Sequence, residues 1–289
     1  MLESRLLLLC AALLWSTAGA AMKLCQLSGV QIACGRSLVA GLFLFLAVPD
    51  ARRRPTRAVC LTALAYAATV GLFAVSNKLT TAANAIFLQS TAPLWVLLLS
   101  GKLLGEPPTR AELFAVPIYG IGLSLFFLDE LSPGQLTGNL VAVAAGVAFA
   151  TCIIGFRRMA SLPNAGSSSS ALVLGNGLAA LVALPLWFQG PAARPTDLLI
   201  LLYLGVFQLG LAYLCFVRGV ARTRALEASL LVLLEPVLNP IWTFLIAGER
   251  PGPWALAGGS IVLLATLWRI LVPLLTARAG ADQVRRAAG

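Results

Sequence analysis

Apolar residues along this chain come in runs of about twenty, separated by short polar or basic breaks. The runs predict helices near residues 4–22, 29–48, 58–77, 80–103, 111–128, 136–156, 170–188, 197–217, 225–247 and 253–275. A bilayer core is crossed by ~20 apolar residues in a helix. A membrane β-barrel would instead show alternating segments of ~10 residues, and no such alternation is present. The expectation is an all-α polytopic membrane protein with ten transmembrane helices. The first run carries Ala18-Gly19-Ala20, the small-residue form of a signal-peptidase site. Its start, Met1 to Arg5, has no net positive charge, however, and apolar character continues to Met22, so an uncleaved first span is expected.

Composition narrows the function. Of 289 residues 59% are hydrophobic and 11% charged, against roughly 25% charged in an ordinary soluble domain. Ten spans take up roughly 200 residues, which leaves no room for a sizeable soluble domain. Histidine is absent, which removes the commonest general base and the commonest metal ligand. The six cysteines form no CxxC pair and read as small hydrophobes. Walker and dinucleotide glycine patterns are missing. An enzyme, a metal site and a cofactor are therefore not expected.

The net charge of +10 is distributed as topology. With the N-terminus taken as cytoplasmic, fifteen of the 21 basic residues fall in cytoplasmic segments: Arg5, the Arg52–Arg57 cluster, Lys102, Arg110, Arg157, Arg158, Arg218, Arg222, Arg224 and three in the tail. Only Lys23, Lys78, Arg194 and Arg250 fall on the other side. The positive-inside rule then sets both termini in the cytoplasm. Basic residues scattered between spans form no patch for a polyanion, so no nucleic-acid partner is expected.

Two segments coincide at an offset of 143 residues: Ala85/Ala228, Pro93/Pro236, Gly105/Gly248, Glu106/Glu249 and Pro108/Pro251. The chain thus divides into two five-helix halves, 1–128 and 136–275, followed by a tail, 276–289. Because five is odd, the halves enter the membrane in opposite senses. Inverted repeats are characteristic of secondary transporters, whose sites lie near the midplane between the halves. A duplicated structural scaffold is the alternative.

The stretches TTAANAIFLQSTAPLWVLLLSGKLLGE and LEASLLVLLEPVLNPIWTFLIAGERPG resemble the EamA repeats of the drug/metabolite transporter superfamily. The resemblance covers nearly the whole chain and says little about substrate. It implies ten helices around a central cavity that opens alternately to each side. The short loops are similar to those of bacterial YddG-like amino-acid exporters. Other members carry purines, riboflavin, S-adenosylmethionine or sugar phosphates.

Polar residues inside the spans carry the site prediction, since each must find a partner where there is no water. Glu235 lies near the middle of span nine, where an acid costs ~2.5–3.5 kcal/mol on insertion scales. Pro236 and Pro240 follow it, and with Pro93 they are expected helix hinges. At 100° per residue Glu227, Glu235, Asn239 and Trp242 share an arc of roughly 120°, and Asn84, Thr91 and Trp95 form a similar stripe in span four. Gln89 falls off that stripe. Gln208, between Gly205 and Gly210, is placed to meet a ligand at close range, and Trp15 stands beside Ser16 and Thr17. Ala142, Gly146 and Ala150 form a small-residue seam for helix packing. Arg36 in span two would bind a substrate carboxylate or pair with a buried acid.

The predicted substrate wall is Trp15, Asn84, Trp95, Gln208, Glu235, Asn239 and Trp242, with Glu235 and Arg36 as candidates for proton or charge coupling. The expected function is export of small polar metabolites, amino acids first, across a bacterial inner membrane by a monomer. Protons are a candidate coupling ion, and the bilayer and a small molecule are the expected partners. The alternatives are a carrier of a nucleobase, riboflavin or S-adenosylmethionine on the same fold, or a non-transporting membrane scaffold.

Overall fold

A computed structural model of the chain describes residues 2–80, 82–126, 128, 135–247, 252–254, 256–268 and 271. In order the helices are α1 (Leu2–Ser16), α2 (Ala18–Leu24), α3 (Gly29–Ala47), α4 (Arg57–Leu79), α5 (Ala82–Gln89), α6 (Ala92–Leu104) and α7 (Arg110–Phe126). They continue as α8 (Leu136–Ser161), α9 (Ser168–Trp187), α10 (Pro195–Tyr203), α11 (Ala212–Ala221), α12 (Ala225–Leu231) and α13 (Leu234–Ala247), with α14 over Leu256–Trp268. No strand occurs among the described residues.

Local chemistry sets the helix ends. Ser28 opens α3 with a capping box, its hydroxyl accepting from the Gln31 amide while the Gln31 side chain accepts from the Ser28 amide. Thr56 caps α4 through the Val59 amide. Gly105, at φ 66°, ends α6 in the left-handed conformation that glycine adopts without steric cost.

The exterior is apolar. Phe188 is 80% exposed, Val182 77%, Phe114 71% and Leu61 70%. A belt of this kind is untenable against water and natural against lipid. Among the described residues six helical segments are long and apolar enough to cross a membrane by length and composition.

Four predicted spans are not single regular α-helices. The first is broken at Thr17, where the Ser16 and Thr17 hydroxyls donate back to the carbonyls of Leu13 and Leu14 and so bend the helix. Span nine is interrupted at Val232–Leu233 between α12 and α13. The Leu233 and Glu235 amides there close tight turns onto Leu230 and Val232. Span four has the matching interruption at Ser90–Thr91, ahead of Pro93, whose missing N–H leaves the Gln89 carbonyl without its usual donor. Between α10 and α11 the chain winds as a π-helix over Leu204–Leu211, the Ala212 amide reaching back to the Phe207 carbonyl.

The two halves interleave. Helix α4 of the first packs on α8 and α9 of the second, α3 on α9, and α1 on α11. Close approach rests on small residues. A Cβ at Gly138 would lie 2.4 Å from the Leu79 carbonyl, and one at Gly175 2.8 Å from the Ala63 carbonyl. The core so formed is aromatic at its centre, where Trp15 meets Tyr213 at 4.8 Å, Phe216 at 5.3 Å and Phe149 at 6.0 Å between ring centroids.

Candidate functional site

Two adjoining cavities lie where the helix interruptions meet. One is lined by Trp15, Arg36, Thr69, Val70, Phe73, Gln89, Phe149, Gln208, Leu209, Tyr213 and Glu235. The other shares Phe73, Gln89, Phe149 and Glu235 with it and continues past Ser90, Pro93, Ser229 and Pro236. Glu235 is thus common to both. It stands in the first turn of α13, where the interruption exposes a helix N-terminus that favours negative charge.

Arg36 is 3% exposed and donates through Nη1 to Gln208 Oε1 at 3.3 Å. Gln208 belongs to the π-helical stretch, which re-aims side chains by the extra residue it inserts. Gly205 and Gly210 serve this contact in a way that differs from the ligand approach expected of them. A Cβ at 205 would sit 2.5 Å from Val39, and one at 210 would sit 2.6 Å from Phe43, so both glycines admit α3.

The other predicted residues are dispersed. Trp15, Gln208, Glu235 and Arg36 come together on one wall. Trp242 lies outside it, donating to Ser16 Oγ at 2.8 Å. It borders a third, more open cavity with Thr17, Ala21, Leu24, Leu199, Ile200 and Tyr203. Trp95 is not on either central wall and donates to Thr91 Oγ1 at 3.3 Å. The side chains of Asn84, Asn239 and Pro240, together with Arg269 and the tail, lie outside the described residues. Glu227 departs from the predicted stripe, because the interruption at 232–233 breaks the 100° progression, and it instead pairs with Arg5 at 2.7 Å. Asn176 accepts from the Tyr66 hydroxyl at 3.1 Å, which ties α9 to α4.

Sequence reasoning missed Thr69, Phe73, Phe149 and Tyr213 and set Gln89 aside. The first four sit on helices whose lipid and interior faces are equally apolar, so periodicity carried no signal for them. Gln89 reaches the cavity because the turn after it is tightened by the Thr91 amide bonding to Leu88.

One end of the bundle is held by ion pairs between the halves. Arg5 joins Glu227, Glu106 joins Arg157 at 2.7 Å, and Glu112 joins Arg224 at 3.3 Å. Glu106 also accepts from the Ala225 amide that opens α12, and Arg157 donates to the Ala221 carbonyl. At the opposite end the described links between halves include hydrogen bonds from Gln31 to the Trp187 and Pro191 carbonyls, from the Gln26 amide to Asp197, and from the Thr80 hydroxyl to Asn139 Oδ1 at 2.7 Å.

Two interleaved halves, interrupted helices and a polar cavity between them define a multi-pass membrane transporter. The chain belongs to the EamA-like transporter family, whose sequence model matches it twice, over residues 4–128 and 136–271. It is 29% identical over 220 residues to an uncharacterized transporter of Archaeoglobus fulgidus, covering 75% of this chain and 78% of the relative. A crystal structure that is 20% identical in sequence superposes with a TM-score of 0.77, covering 94% of this chain and 97% of that one, and so shares the fold.

Proposed function

We propose that the protein is a secondary transporter that exports small polar metabolites, amino acids first, across a bacterial inner membrane by alternating access. The observation that carries this reading is Glu235, a carboxyl shared by two adjoining cavities at the point where α12 gives way to α13. Such interruptions bring helix ends, and so partial charges, to a substrate at mid-membrane. Glu235 receives the substrate amine and is the group through which a proton gradient could be coupled. Arginine-rich segments fall on the end closed by ion pairs, so under the positive-inside rule this conformation is closed toward the cytoplasm.

The test is counterflow into liposomes by the purified full chain. A panel of labelled amino acids is run with nucleobase, riboflavin and S-adenosylmethionine controls, with and without a pH gradient. Saturable amino-acid exchange is expected, and dependence on the gradient would add the proton. Flux of the controls alone would replace the substrate class. No flux of any compound would overturn the reading in favour of a scaffold.

A further inference from the structure

Among the described residues three buried side-chain polar atoms meet no hydrogen-bonding partner within the protein: Trp15 Nε1, Arg36 Nε and Ser37 Oγ. The first two belong to residues on the wall of the same cavity. Trp15 is 4% exposed and Arg36 3%, so these N–H groups are withdrawn from solvent and from lipid alike. Leaving a buried donor unmet costs about 1–3 kcal/mol, more when the group is charged. Two such costs in the lining of one cavity point to a bound acceptor.

The chemistry of the donors narrows that acceptor. An indole N–H and a guanidinium N–H donate only, so an amine or a second cation cannot satisfy them. Both are held in place before anything binds. Ring contacts with Tyr213, Phe216 and Phe149 fix the indole, and the bond from Nη1 to Gln208 fixes one end of the guanidinium. The Nε–H is buried without an acceptor, and a guanidinium edge of this kind is suited to the two oxygens of a carboxylate. Arg36 is the sole cation lining the described central cavities, so the charge it offers matches a monoanion rather than a phosphate dianion.

The acid on the same wall does not fill this role. None of the described ion pairs joins Arg36 to Glu235. Arg36 and Glu235 act on one another through charge across the cavity, yet the Arg36 Nε–H keeps no acceptor, so the cavity presents a donor-only pole facing an acidic one.

We propose that Arg36 and Trp15 form a carboxylate-receiving pole, so that the transporter recognises its substrate as a zwitterion held at both ends. This rests on the amino-acid reading above, which assigns only the amine to Glu235, and it makes Trp15 and Arg36 determinants of specificity.

The experiment uses the reconstituted full chain. Each amino acid that the counterflow panel identifies is competed by its own decarboxylated amine and its own deaminated acid; for leucine these are 3-methylbutylamine and 4-methylpentanoate. Sites built around buried hydrogen-bonding groups reject analogues lacking the partner by factors of ~100 or more. The amine is accordingly expected to compete at least ~100-fold more weakly than the amino acid. Trp15→Phe keeps the ring and removes the N–H. It should weaken the amino acid by roughly tenfold and leave the inhibition constant of the amine unchanged. Arg36→Lys, which keeps the charge and loses the two-pronged edge, should show the same split.

Equal competition by amine and amino acid in the unaltered protein would overturn the proposal. So would variants that weaken both ligands alike, the signature of a purely structural role. Trp15→Phe decides the matter alone if Arg36→Lys fails to fold. Amino-acid flux with either overturning result would leave the function standing and remove this pole. Absence of amino-acid flux would remove both.

Discussion

A carboxyl in hydrocarbon costs ~2.5–3.5 kcal/mol on insertion scales, and Glu235 lessens that cost by sitting at the start of α13 and on a cavity wall. Among the described ion pairs none holds Glu235, whose charged neighbour is Arg36, and the proposed function gives it a role. Glu235→Gln preserves shape and removes the charge. It should leave insertion and monodispersity intact while lowering counterflow by about 100-fold or more, because a substrate ammonium would meet a neutral amide. Unchanged flux would take Glu235 out of the mechanism. Tyr66 is the contrasting case. Its hydroxyl is spent on Asn176, whose amide in turn donates to the Leu172 carbonyl. Tyr66→Phe strands a buried oxygen and should cost about 1–3 kcal/mol, seen as a lower melting temperature in detergent with an unaltered substrate KM. A change in KM without a change in stability would place Tyr66 in the site instead. At this scale the sequence exposed what is costly. Glu235, Arg36 and Gln208 stand out because polar groups are rare in spans, whereas Phe149 and Tyr213 are indistinguishable from lipid-facing aromatics until the packing is known.

Between elements, the contacts that shape the cavity are made by backbone. Gly146 of α8 faces the interruption between α5 and α6, and a Cβ there would lie 3.1 Å from the Leu88 carbonyl and the Thr91 hydroxyl and 3.2 Å from the Gln89 carbonyl. Of those carbonyls, Leu88 accepts from the Thr91 amide and Gln89 is the one that Pro93 leaves without its helical donor. Gly146→Val should force α8 away from this turn, costing about 1–3 kcal/mol as overpacking does, and should slow transport as the cavity wall shifts. Gly177 in α9 has nothing within 4 Å of its missing Cβ. Gly177→Ala should therefore stabilise the helix by up to about 1 kcal/mol and leave flux unchanged. Thermal melts of the two variants side by side check both signs, and a neutral Gly146→Val would show that the seam is not close-packed. The seam from Ala142 to Ala150 and the two repeat prolines were readable as spacing. The break at Thr17 and the π-helical stretch were not. Hydroxyls bond back to the helix only where tertiary packing favours the bend, and the extra residue at Leu204–Leu211 is held by α3 pressing on Gly205 and Gly210.

Across the whole molecule, among the described residues, the two halves are clamped at one end by charged pairs and linked at the other by hydrogen bonds, one of them to the charged acceptor Asp197. The proposed alternating access requires that each closure be breakable, and a partly exposed pair meets that condition better than a packed apolar seam would. Glu106 ties two elements of the second half to the first, holding both Arg157 and the amide that opens α12. The repeat made Glu106 visible in the sequence through its match with Glu249, but its partners lie in other segments and no spacing rule reaches them. With side-chain exposures of 16% for Glu106 and 21% for Arg157, removing the charge should cost roughly 1–2 kcal/mol, less than for a fully buried pair. A shift of that size changes the ratio of two states by about 5- to 30-fold. Glu106→Gln should therefore open the Arg5 end more often. The readout is a cysteine placed at Ser229 on the cavity wall, in a background with the six native cysteines replaced. An impermeant maleimide applied from the Arg5 side should label Ser229→Cys several-fold faster when Glu106→Gln is present. Labelling from the other side should slow, since a molecule closed at one end less often must be open at the other less often as well. Identical rates from both sides would mean that the ion pairs bind the halves together without governing which side is open.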